Sequence, residues 1–256
     1  MKVQPSWQKG VIVYLLYNAI IFATWAMVGA DYTNLVGRDV IATSLVLPLL
    51  LGAVFLVATI TWMGWWRPVM TEPRLGHFGW VMWLVFVVMV GFILVNAVYT
   101  NWSAVTGIHL LFLIAVGVLV GFNEEALTRG ILVVGWRGST SNEVWVWFWT
   151  VFLFGVMHLP NGFFGAGFVA SSAQVGFAFL AGSGFYLIRR ISGTLLIPMI
   201  IHGAWDFASL THLVSGGSAS VLKYPFQIGT YLLSIVLVIV VLVAERRLLE
   251  KNKIEN

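Results

Sequence analysis

The stretch Gly117-Val-Leu-Val-Gly121-Phe-Asn-Glu124-Glu125-Ala-Leu-Thr-Arg129-Gly130-Ile-Leu-Val-Val-Gly-Trp136 sets two adjacent carboxylates and an arginine inside an otherwise apolar run. A charge at bilayer depth is costly, so residues of this kind face a polar cavity, pair with one another and mark function. On a helix Glu125 and Arg129, four apart, share a face, while Glu124 points about 100° away and keeps no such partner. Two readings fit the cluster alone: a buried ion network that only fixes helix packing, and a reactive carboxylate beside a neutralised one.

The rest of the chain agrees that the surroundings are a membrane. Of 256 residues 60% are hydrophobic and only 9% charged, with 13 Trp, far from the composition of a soluble domain. Long apolar runs without two-residue alternation exclude a membrane barrel and predict an all-α polytopic protein. The chain has no Cys, which excludes disulfides, a thiolate nucleophile and cysteine metal ligands.

About eight spans are expected: Val11–Ala30, Ile41–Trp62, Phe78–Tyr99, Val105–Trp136, Val144–His158, Phe163–Ile188, Gly193–Leu213 and Phe226–Ala244. The first is too long for a signal-peptide core, although Val-Gly-Ala30 resembles a cleavage site. The fourth is too long for one perpendicular helix and is expected to tilt or break, and Gly117 and Gly121 within it allow close helix approach. Between spans two and three, Trp65, Trp66, Pro68 and Pro73 read as an interfacial loop, with His77 solvated there. Asn18 reads as a packing hydrogen bond. No repeat or linker divides the chain, so residues 1–256 are one transmembrane domain, with a motif-bearing core at about 104–213. Of the fourteen Lys and Arg, this layout puts all but Arg38 and Lys223 on the side of the two termini, though Arg129 is intramembrane and should not count. That bias predicts cytoplasmic termini in a multi-pass protein of the cell membrane.

Two further polar sets interrupt apolar helices: Phe154-Gly-Val-Met-His158, and His202-Gly-Ala-Trp-Asp206 with His and Asp on one face. At ~1.5 Å per residue, Glu124, His158 and His202 lie roughly 20, 21 and 15 Å from the cytoplasmic ends of their helices. Core histidines without a common task need not agree in depth, so a mid-membrane polar cavity is expected around these three. His109 and His212 fall outside it.

Glu124-Glu125-x-x-x-Arg129, Phe154-x-x-x-His158 and His202-x-x-x-Asp206, in that order on successive helices, resemble the CPBP family of intramembrane proteases, which includes CAAX prenyl endopeptidases and bacteriocin-processing or immunity proteins. The resemblance implies that Glu124 is the catalytic glutamate, that Glu125 and Arg129 support it, that His158 helps activate water, and that His202 with residue 206 stabilises the oxyanion. Phe154 completes the second motif as a supporting residue. One departure is Asp206, where the CAAX-processing branch usually has Asn, and it weighs against prenylated substrates more than against proteolysis.

From the chemistry of the groups, Glu124 is expected to take a proton from water, His158 to hold that water or return the proton to the leaving amine, and Asp206 to accept from one ring nitrogen of His202 so that the other donates to the oxyanion. No cofactor is expected; the alternative is zinc on Glu124, His158, His202 and Asp206. The expected partners are the lipid bilayer and a peptide or protein substrate, bacteriocin-like or lipid-modified, with no nucleic acid. Other mechanisms fare worse. There is no His-Glu-x-x-His and no presenilin-type aspartate pair, and Ser183 between Gly182 and Gly184, the one serine to set against His202, reads as packing. A non-catalytic immunity or peptide-binding protein would use the same cavity. A proton-coupled transporter would use the same carboxylates, but shows no internal repeat.

Overall fold

The computed structural model describes residues 1–218 and 220–254, and among these it contains helices and turns but no strand. In chain order the helices are α1 (Trp7–Val28), α2 (Leu47–Met63), a short α3 (Trp66–Met70), α4 (Gly79–Tyr99), α5 (Gly107–Glu125), a short α6 (Val133–Arg137), α7 (Glu143–Val156), α8 (Phe168–Ser192), α9 (Leu196–Val214) and α10 (Lys223–Ile254). Seven helical stretches of the described chain are long and apolar enough to cross a membrane. The remaining expected span is α9. It is a full 19 residues but less apolar than the others, because Pro198, His202, Asp206 and His212 replace hydrocarbon along it.

The helices make two rims. Lys2 N–H donates to the Met63 carbonyl at 3.0 Å and Glu72 N–H to that of Gly193, also at 3.0 Å, while Arg190 pairs with Glu245 on α10. These contacts gather the N-terminus, the α2–α4 connection and the ends of α8 and α10 at one level. At the other rim the His109 ring donates to the Val36 carbonyl at 2.9 Å and Asn101 N–H to Ser215 Oγ at 3.2 Å. Lys2 and Glu245 thus lie at the same rim, the arrangement that eight crossings require. Large apolar side chains such as Met27 and Val98 point outward, a liability in water but ordinary against lipid.

The long fourth span is interrupted. After Glu125 the backbone widens into a π segment, Ala126–Leu132, before α6 completes the crossing. Such segments are frequent at functional sites, and this one is wholly buried and carries Arg129. α7 is also shorter than a full crossing: it stops at Val156, and His158 caps a 3-10 turn, Leu159–Phe164. The sixth span therefore begins at Phe168 rather than Phe163, because Pro160 and three glycines hold the intervening chain out of α geometry. α10 runs past Ala244 to Ile254, since the polar tail is made of good helix formers and Arg246 pairs with Glu250 one turn on, at 2.9 Å.

α5 and α9 are pressed together through glycines. A Cβ on Gly117 would lie 2.8 Å from the Gly203 carbonyl oxygen, and one on Gly121 would lie 2.9 Å from the Gly203 nitrogen. The small-residue face read at Gly117 and Gly121 therefore has its partner on α9. That close approach brings Glu124 and Glu125 against His202.

Candidate active site

The His202 imidazole is the hub. Its Nδ1 donates to Glu125 Oε1 at 2.7 Å, and the same oxygen accepts from Arg129 Nη1 at 2.8 Å. Glu125 and Arg129 are essentially sealed from solvent, so their pairing spares each an uncompensated buried charge. The other ring nitrogen, Nε2, faces Glu124 Oε2 at 3.6 Å and Asp206 Oδ2 at 3.9 Å. Neither is a direct hydrogen bond, and both gaps suit a bridging water or a reacting oxygen.

This corrects the expected role of Asp206. The residue that fixes the His202 tautomer is Glu125, on α5, not Asp206 four residues further along α9. The i,i+4 spacing brings Asp206 near the ring, but toward the edge that faces Glu124.

His158 is oriented by its own backbone. Its Nδ1 lies 3.0 Å from the Phe154 carbonyl and 3.3 Å from that of Gly155. Carbonyls only accept, so Nδ1 carries the proton and Nε2 is left as the acceptor of the neutral ring. Phe154 braces three of the site's groups: the Arg129 guanidinium lies over its face at 4.0 Å, and the rings of His158 and His202 meet it edge-on at 5.5 and 5.8 Å. Phe185 stacks on His202 from the other side at 4.6 Å. Room for the guanidinium comes from Gly182, where a Cβ would lie 2.6 Å from Arg129 Nη2. Ser183 beside it donates to the Phe179 carbonyl and accepts from Trp147 Nε1, each at 3.1 Å. Its hydroxyl is engaged in packing.

Two cavities meet at this cluster. One, of about 270 Å³, is lined by Glu124, His158 and Asp206 together with Tyr17, Trp25 and Leu210. The other, of about 430 Å³, includes Glu124, His158, His202 and Asp206 with Trp205 and Phe177. Gln174 borders both, and its Oε1 accepts from Asn161 Nδ2 at 3.0 Å and from Tyr32 Oη at 3.1 Å. Neither this trio nor Phe185 was picked out from the sequence. Tyr32, Asn161 and Gln174 come from three separated segments, and no spacing rule links them. His109 is engaged with Val36 elsewhere, His77 is exposed, and Asn18 donates to the Tyr14 carbonyl of its own helix at 2.8 Å.

Residues 104–208 match the family described as type II CAAX prenyl endopeptidase Rce1-like. This stretch is similar to an Rce1-like domain. It contains every residue of the three motifs, from Glu124 to Asp206, and agrees with the CPBP resemblance those motifs carry. The family supports endopeptidase activity within the membrane in general terms. No curated protein and no solved structure matches the chain. Among the described residues no three His, Asp or Glu side chains are set to hold one metal ion. The four residues of the zinc alternative lie around shared space without forming such a ligand group.

Proposed function

We propose that the protein hydrolyses a peptide bond of a membrane-associated peptide with a water activated by Glu124. The observation that carries this reading is the asymmetry of the two adjacent carboxylates. Glu125 is held by both His202 and Arg129, while Glu124 makes no direct bond to either and borders both cavities.

In this mechanism Glu124 takes a proton from water as the oxygen attacks the scissile carbonyl carbon. His158 accepts the water's second hydrogen at Nε2 and so fixes its line of approach. The oxyanion forms in the space bounded by His202 and Asp206, where His202 Nε2, when protonated, donates to it. Glu125 holds the ring at the required angle from the opposite edge. As the tetrahedral intermediate collapses, the C–N bond breaks and Glu124 returns its proton to the leaving amine, giving a carboxylic acid and an amine; the acid's remaining proton then passes to the amine, leaving a carboxylate and an ammonium group. Each step uses a side chain of this cluster, so none requires a metal.

The test is a peptide-processing assay on the purified protein and its variants, against candidate membrane peptides. Glu124→Gln and His158→Ala are each expected to lose activity, by about 10²–10⁴-fold for the base, while remaining folded. Full activity in well-folded Glu124→Gln would remove the catalytic assignment and favour a peptide-binding role for the same cavity.

A further inference from the structure

Both cavities at the site lie toward one rim. Following α5 from Gly107 to Glu125, α8 from Phe168 and α10 from Lys223, the helices begin at the rim opposite the N-terminus and Glu245. The smaller cavity runs from Glu124 past Trp25 and Leu210 to Tyr32, Thr33 and Leu213, which belong to that rim. The larger is walled by Ala170, Ala173 and Phe177 from the first turns of α8 and by Thr230 and Tyr231 from the corresponding part of α10. On the other side of Glu124 the chain is solid. Thr128, Arg129, Ile131 and Leu132 are all buried, and beyond them Glu72 is bound by Arg137 and Arg189 at 2.6 and 2.9 Å.

We infer that the site receives its substrate from the rim opposite the two termini. The basic residues, nearly all at the terminal rim, make the opposite face the outside of the cell. The substrate class follows from the walls. Trp25, Leu35, Val36, Leu45 and Leu213 offer hydrocarbon, and away from Glu124, His158 and Asp206 the polar groups of the wall, among them Tyr32, Asn161 and Gln174, are uncharged. The fitting occupant is an apolar, uncharged peptide segment that reaches the membrane from its outer face, such as the hydrophobic part of an exported peptide, rather than a cytoplasmic chain end. The substrate half of this inference rests on the protease reading; the route does not.

The absence of Cys allows a direct test in the full-length protein in its native membrane. Single cysteines are placed at the cavity mouth (Leu213→Cys), deep in the cavity (Asn18→Cys) and at the opposite rim (Thr71→Cys), and a charged, membrane-impermeant methanethiosulfonate is added to intact cells or to inverted vesicles. Leu213→Cys and Asn18→Cys should react on intact cells, and Thr71→Cys only in inverted vesicles. Reaction of Asn18→Cys only from the face that labels Thr71→Cys, or from neither face while Leu213→Cys reacts, would overturn the route. Reversed labelling of all three would overturn the outward assignment. A second arm offers a quenched fluorogenic peptide of apolar residues to sealed right-side-out and inverted vesicles of the unmodified protein. Cleavage should occur only right-side-out, and cleavage only in inverted vesicles would overturn the substrate class. If the cysteines label as expected and neither preparation cleaves, the access route stands and the protease reading fails.

Discussion

At the rim that carries both termini, Glu72 is held by Arg137 at 2.6 Å, Arg189 at 2.9 Å and Arg190 at 3.5 Å, and Glu143 by Arg137 and by the Tyr186 hydroxyl. Deeper in the bundle, Glu124 and Asp206 face one nitrogen of His202 at 3.6 and 3.9 Å, with no guanidinium on either. Both clusters put carboxylates among cations in a protein that has few charges. They differ in whether the charges close on one another. In the rim network Glu72 and Glu143 each meet at least two guanidinium groups, and the network joins the α2–α4 connection, α6, α7, α8 and α10, so its electrostatic energy goes into geometry. In the site only Glu125 is paired with a guanidinium, through Oε1, while its Oε2 accepts no hydrogen bond among the described residues. Glu124 is left available, which a base requires and a structural charge avoids.

The sharpest way to break this comparison is Glu124→Gln, which removes the open carboxylate while keeping its shape. Processing should fall by about 10²–10⁴-fold, with no loss of thermal stability in detergent. An equal drop in stability would show that Glu124 is also structural and that the two clusters are alike.

Glu125→Gln should act on both quantities. It leaves Arg129 without its anion, for which about 3–5 kcal/mol is typical of a broken buried pair, and it weakens the bond that orients His202. Lower expression, an earlier heat-induced loss of the monodisperse peak and reduced activity per folded molecule are all expected. Glu125→Gln with normal stability but no activity would move Glu125 from support into the chemistry.

Glu72→Gln perturbs the rim cluster instead. Arg137 keeps Glu143 and Arg190 keeps Glu245, but the buried Arg189 loses its carboxylate and keeps only the Pro68 carbonyl, so the expected cost in stability is again about 3–5 kcal/mol. Activity per folded molecule should be unchanged when assayed well below the transition. Changed kinetics at full stability would mean that the rim is coupled to the site.

These variants also mark what could be read from residues alone. The apolar runs, the Glu125–Arg129 pair and the glycine face of α5 obey short-range rules: a length, a spacing of four, a small side chain at helix contact. Each is found in the structure. Glu125 meeting His202 is a contact across 77 positions, and spacing favoured Asp206 for that place because only neighbours on one helix are visible in a sequence. Glu72 looked like one more polar residue in an interfacial loop, since nothing local shows that three arginines from other segments converge on it. The π segment left a trace only as excess length in the fourth span. Tyr32, Asn161 and Gln174 left none.

The smallest effect is expected at Asp206. Because Glu125 rather than Asp206 holds His202, and Asp206 stands 3.9 Å from the ring, Asp206→Asn removes a charge without removing a bond. The amide can still accept at that position and adds an N–H that can face the oxyanion, so activity should stay within about tenfold, or about 1.4 kcal/mol, of the parent. The zinc alternative makes the opposite demand, since loss of an anionic ligand from a site of Glu124, His158, His202 and Asp206 would release the metal. Metal analysis with a chelation series separates the two. Stoichiometric zinc, activity lost to a chelator and restored by zinc, and an inactive Asp206→Asn would together show that the open carboxylates are ligands. Retained activity in Asp206→Asn, unchanged by chelator, would leave Glu124 as the base and Asp206 as a polar wall of the oxyanion space.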